Sequence, residues 1–176
     1  MKNKNAQVWV ETVIYTLIAF ALIGAVIAFA KPKIEELQDK TLIDQSSAML
    51  KDINSLISSI RGTSGNQRIV EVSLNGGNLK IDGENDLIIF EIESRAEYSQ
   101  LGEEIVKENL VILTEKQGRL NKVTLTTDYS ENYNITYEGK DQSKLISKAP
   151  TPHKVSIENR GFQEDEERTW IDIKVI

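Results

Sequence analysis

The hydrophobic pattern of the chain changes period twice. Residues 12–30 form nineteen consecutive uncharged positions, sixteen of them apolar and the others Thr12, Thr16 and Gly24. An apolar run of that length predicts a helix of about 29 Å, close to the thickness of a membrane's hydrocarbon core. After Lys31-Pro32-Lys33 the apolar positions thin to a stripe. Leu42, Met49 and Leu56 recur at seven-residue intervals, as do Ile43, Leu50 and Ile57, and Ile53 with Ile60. This spacing predicts a continued helix with one broad apolar face. The face is expected to pack on the protein's own β domain, the default for a single chain, or on a neighbour's helix. Gly62 predicts the helix stop and Pro32 a bend.

Beyond the linker Thr63-Ser64-Gly65-Asn66 the period becomes two. Val70, Val72 and Leu74 alternate before the turn signal Asn75-Gly76-Gly77, and Leu79 and Ile81 precede a turn at Asp82-Gly83. Residues 87–92 are the most apolar run and predict a central strand. Residues 105–113 predict another, followed by a turn at Gln117-Gly118. Val123 with Leu125, Ile135 with Tyr137, and Val155 with Ile157 share faces. Asn159-Arg160-Gly161 predicts a turn, and Ile171, Ile173 and Val175 the last strand. Residues 96–101 are compatible with a single helical turn. The pattern gives about eight short strands with no further long helix, hence a β-sandwich or barrel. The fold class read from the chain is α+β: a long N-terminal transmembrane helix followed by an antiparallel β-sandwich-like globular domain.

Composition narrows the function classes. The 176 residues allow one soluble domain plus an anchor. A net charge of −6 argues against a nucleic-acid surface. Without cysteine there is no disulfide or thiolate metal site, and with His153 as the one histidine the usual zinc ligation is excluded. No cofactor is expected. Ser46, Ser47, Ser58 and Ser59 belong to helix faces without a nearby base, and Gly76-Gly77 lacks the following helix that a phosphate loop needs. The reading is therefore non-enzymatic. The run Glu164-Asp165-Glu166-Glu167 lacks the alternation of a calcium loop and reads as a solvated turn before the last strand. Asn134-Ile135-Thr136 is an N-glycosylation sequon. With Ile135 inward, Asn134 and Thr136 are expected to face outward.

The segment before the apolar run carries the most specific signal. Lys2 and Lys4 precede Ala6, Gln7 and then the lone acid Glu11 at the entrance to the helix. This arrangement resembles the class III signal peptide of archaeal type IV pilins and archaellins. In that family a short basic leader and a small residue precede the cleavage bond. A glutamine, a glutamate four residues later and a long apolar helix follow. Trp9 stands where the family usually has serine, and Tyr15 where it usually has leucine. The resemblance implies cleavage between Ala6 and Gln7 by a prepilin peptidase, and handling by pilus assembly machinery. It divides the chain into a leader (1–6), a membrane and filament-core helix (7–62) and an exported β-rich domain (63–176). It also implies pairing of Glu11 with the free α-amine of an incoming or adjacent subunit. An acid in lipid costs about 2.5–3.5 kcal/mol, which a cationic partner offsets. Gly24, with Ala21, Ala25 and Ala28, supplies small residues for close helix approach.

The expected product is a structural subunit of a cell-surface filament, a helical homopolymer built through the N-terminal helix. Before assembly the subunit would sit in the cell membrane with its N-terminus cytoplasmic, and afterwards in an extracellular filament. Two plainer readings compete. Ala28-Phe29-Ala30 has the form of a signal-peptidase site, although the apolar stretch exceeds a usual signal core. A signal anchor without an assembly role would make the chain a monomeric, membrane-anchored extracytoplasmic binding module.

Overall fold

In a computed structural model of the chain the backbone is described for residues 4–176 and side chains from Val8 onward. The first element is the helix α1 (Lys4–Ile60), 57 residues long and helical through Pro32. Ten strands follow: β1 (Gln67–Val72), β2 (Asn78–Asp82), β3 (Leu87–Ser94), β4 (Glu104–Lys107), β5 (Leu110–Gln117), β6 (Leu120–Asp128), β7 (Tyr133–Tyr137), β8 (Ser143–Ser147), β9 (His153–Gln163) and β10 (Arg168–Val175). The chain divides into two units. The first ends at Gln38, and the second, Asp39–Ile176, holds the end of α1 and both sheets.

One sheet has the order β1-β9-β10-β7 and the other β4-β5-β6-β3-β2-β8. Every ladder is antiparallel except β7 with β10, which is parallel. The α+β class with a sandwich-like domain is thus the observed architecture. Strict alternation in β3 and β6 sends Ile88, Phe90 and Ile92, and Val123 and Leu125, to the interior. Val72, Val155, Ile157, Ile171 and Ile173 of the other sheet join the same core.

The stripe of α1 completes that core. Ile43, Leu50, Ile53, Ile57 and Ile60 are at most 3% exposed, and Leu42, Met49 and Leu56 pack at its margin. The helix face therefore covers its own domain rather than waiting for a neighbour. Where Ile53 meets Val72, Leu79, Ile88, Val155 and Ile173, the space left is about 10 Å³, and it is lined only by apolar side chains.

The structure corrects several expectations. Asn75-Gly76-Gly77, a hairpin signal in the sequence, instead links two sheets, since β1 pairs with β9 and β2 with β3. Residues 105–113 are two strands, because Glu108 takes a left-handed conformation (φ 60°) and reverses the chain. No glycine marks that turn. Strand β8 buries only Ile146, too little alternation to register in the sequence. Residues 96–101 form bends and turns, not a helix. Asn159-Arg160-Gly161 is a β-bulge inside β9: Trp170 pairs with Gly161 and Ile171 with Asn159, leaving Arg160 as the extra residue. Gly161 has φ 118°, and a Cβ there would lie 3.2 Å from Ser64 Oγ.

The stop of α1 also differs in mechanism. The helix ends at Ile60, yet Gly62 is not left-handed. The bulge instead carries buried Asn159 to the helix end. Its Nδ2 donates to the carbonyls of Ile60 (2.8 Å) and Arg61 (2.9 Å), and its Oδ1 accepts from the Gly161 amide (2.8 Å). Two terminal carbonyls that a glycine cap would have served are satisfied by a residue ninety-eight or more positions later in the chain.

Candidate anchoring and assembly helix

Among the described residues the N-terminal unit consists of helix alone. Among residues 8–29 the large apolar side chains are all exposed, from Val13 at 38% to Phe29 at 83%. The apolar window within this helix has a mean hydropathy of 2.6 and none of it is buried. The helix is long and apolar enough to cross a membrane. Its threonine hydroxyls are satisfied internally: Thr12 Oγ1 donates to the Val8 carbonyl (3.0 Å) and Thr16 Oγ1 to that of Thr12 (2.8 Å). Such back-bonding lets threonine sit in an apolar medium without a stranded donor. Beyond the apolar run, Lys33 pairs with Glu36 at 2.7 Å.

Glu11 is exposed one turn into the described side chains, beside Thr12. Gly24 is equally open: a Cβ added there would meet nothing within 4 Å. The chain's own packing places no demand for glycine at that position. The cleavage pair Ala6 and Gln7, like the leader charges Lys2 and Lys4, lies outside the residues whose side chains are described.

The remaining sequence candidates lie on the β domain, where the sequon and the acidic run meet through Asn134 and Glu166. Ile135 is fully buried, as expected for the sequon. Thr136, however, is not on a free surface. It is 3% exposed, accepts the Trp170 Nε1 hydrogen (2.7 Å) and donates to Asp172 Oδ1 (2.9 Å). Asn134 Nδ2 donates to Gln163 and Glu166. The parallel β7–β10 ladder causes this, because it sets the bulky Trp170 directly beside Asn134. His153 opens β9, and its Nε2 lies 3.0 Å from the Ser147 carbonyl. The acidic run 164–167 is the β9–β10 hairpin turn, with Glu166 paired to Arg168. No cluster of three or more histidine or carboxylate side chains suited to a metal ion occurs among the described residues.

Two buried carboxylates, Asp82 and Asp172, and the half-buried Asp86 were not anticipated from the sequence, and all three join elements of the domain. Asp86 accepts the Ile135 amide (2.7 Å) and an Arg168 guanidinium N–H (2.6 Å), tying the β2–β3 turn to β7 and β10. Burial works to lower the Arg168 pKa, but its bonds to Glu166 and Asp86 prevail and raise it. Asp172 gathers Thr136, the Gly139 amide and Arg160. Asp82 is 3% exposed. Burial pushes its carboxyl up, but bonds from Lys80, Ser143 and Asn85 outweigh that and hold it at about 2. In the sequence Asp82 and Asp86 look like ordinary turn residues, and Asp172 like an outward-facing residue between Ile171 and Ile173 of the last strand.

An open groove of about 630 Å³ is lined by Asp39, Leu42, Gly76, Ile92, Glu93 and Lys148. Three of its lining charges are already engaged: Asp39 bonds the Arg95 amide at 2.7 Å, and Glu91 pairs with Lys122 at 2.6 Å within the lining itself. No convergent donor set for a ligand is present there. The chain matches no protein-family profile, no curated protein and no solved structure.

Proposed function

We propose that this chain is a structural, non-enzymatic subunit of an archaeal type IV pilus-like filament that assembles through its N-terminal helix. One observation carries the reading. The lower stripe of α1 is consumed by its own domain, whereas the apolar side chains of residues 8–29 are exposed on every side. Exposed apolar area on this scale demands another medium. Before assembly that medium would be lipid. After assembly it would be the same segment of neighbouring copies, with Gly24 and the nearby alanines allowing close approach. Glu11 would pair with the α-amine created by cleavage before Gln7. The β domain would be exported, with the short basic N-terminal segment kept on the cytoplasmic side before processing.

Mass spectrometry of the amino terminus from native cells tests processing. A mature chain beginning at Gln7 is expected, and an intact Met1 would favour the monomeric anchor instead. Replacing Glu11 with Ala is expected to abolish or greatly reduce filament incorporation while leaving membrane insertion intact. Normal filament yield from that variant would reduce Glu11 to a helix-end acid.

A further inference from the structure

We propose that copies of this chain also associate through their β domains, by edge-to-edge pairing of β8 of one copy with β4 of the next. These strands are the two edges of the six-stranded sheet. No backbone hydrogen bond outside the ladders reaches residues 104–107 or 143–147 among the described residues. Apart from the Ser147 carbonyl approached by His153, their outer edges are open templates for a further strand. Each edge carries an exposed apolar side chain, Val106 at 64% and Leu145 at 59%.

Direction and register both favour this pairing. All five ladders of the sheet are antiparallel, so its two edges run in opposite senses. A second copy related by continuation of the sheet therefore meets the first in an antiparallel ladder. Val106 and Leu145 belong to one transverse row on the outer face: Val106, Val111, Thr126, Ile89, Lys80, Leu145. On the inner face the neighbouring row is Ile105, Ile112, Leu125, Phe90, Leu79, Ile146. Continuing these rows places Leu145 opposite Val106 and Ile146 opposite Ile105 of the next copy. Apolar residues thus meet on both faces in a single register.

The charges flanking the two strands, rather than those within them, point the same way. Residues 103–108 around β4 carry Glu103, Glu104 and Glu108 against Lys107. Residues 140–148 around β8 carry Lys140, Lys144 and Lys148 against Asp141. The register that aligns the apolar rows sets Lys148 opposite Glu103. Its one like-charge pair is Lys107 with Lys144, and the Lys144 ammonium already rests over the Tyr137 ring at 5.5 Å. Unlike edges repel their own kind and attract each other, so the contact is heterologous and propagates rather than closing as a dimer. The twist of about 20–25° per strand makes that repeat a screw. The contact uses no part of residues 8–29 and does not depend on the filament reading.

Disulfide trapping in the full chain tests it, because the protein has no cysteine of its own. The variant Val106→Cys with Leu145→Cys, held in isolated membranes and treated with a mild oxidant, should give a reducible ladder of dimers, trimers and higher species. The two positions within one copy are about 24 Å apart across the sheet, beyond the about 7 Å reach of a disulfide. Val106→Cys with Lys144→Cys places the second thiol on the opposite face and should lose the ladder. Adding Lys148→Glu to the trapping pair should also lose it, and adding Glu103→Lys as well should restore it. A trapping pair that cross-links no more than the Lys144→Cys control overturns the proposal, as does a ladder indifferent to the charge reversal.

Discussion

Residues 8–29 and residues 43–60 belong to the same helix and draw on the same apolar residue types, yet they end in opposite environments. In the first segment apolar residues surround the axis, and every large one is exposed. In the second they occupy one stripe, and five of them are at most 3% exposed. A domain covers only one side of a helix, so a one-sided pattern is satisfied within the chain. An all-round pattern is not, and it requires lipid or several neighbouring helices. The distribution of apolar residues around the axis, more than their number, separates a structural element from an interface.

The strongest way to break this contrast is to remove the buried stripe. Five fully buried side chains contribute about 7–15 kcal/mol before entropy costs, as much as the whole stability of a domain. A fragment of residues 63–176 should therefore show no cooperative melting transition and should aggregate, while one starting at Lys33 should melt cooperatively. Equal melting temperatures would refute the packing role.

Single truncations sharpen it. Ile57→Ala should destabilise the β domain by about 2–5 kcal/mol, since a fully buried residue leaves a cavity. Ile18→Ala, at a position 50% exposed, should leave the domain's denaturant midpoint unchanged. A matching loss at Ile18 would mean that the upper helix is packed after all.

The helix end offers a smaller effect. Asn159→Ala should cost about 1–3 kcal/mol by removing the side-chain bonds to the Ile60 and Arg61 carbonyls and to the Gly161 amide, leaving the Ile60 carbonyl only its long bond from the Thr63 amide. Hydrogen exchange should show the last turn of α1 opening first. Uniform exchange along residues 43–60 would count against the latch.

The smallest effect is a pH dependence confined to the β domain. The folded Asp82 carboxyl, at about 2, lies below its ordinary 3.8. Its contribution is therefore complete above about pH 4 and disappears as pH falls toward 2, a loss of about 2 kcal/mol. In Asp82→Asn, acid unfolding between those values should flatten relative to the parent, as read by urea midpoints at each pH.

Much of the architecture was legible because it depends on short-range periodicity. The nineteen-residue run, the stripe from Leu42 to Ile60, and the short apolar run of residues 87–92 each report an environment through their own spacing. Glu11 and Gly24 could be singled out for the same local reason, as exceptions within an apolar run. What resisted reading was set by partners distant in the chain. The reversal at Glu108 needs no glycine, because the β4–β5 ladder holds its backbone. Thr136 looks solvent-facing until the parallel ladder brings Trp170 beside it. Asn159 looks like a turn residue until the bulge delivers it to α1.

The sequence alone therefore determined that one helix carries two apolar patterns, all-round and then one-sided, and that a β-rich domain follows it. Burial periodicity is written residue by residue, and the free energy of transfer acts on each side chain where it stands. Only the tertiary structure decided which carboxylates are buried, what caps the helix, and which two strands end the six-stranded sheet. Those outcomes depend on strand order and register, which arise from pairings between residues far apart in sequence and leave no periodic mark in it.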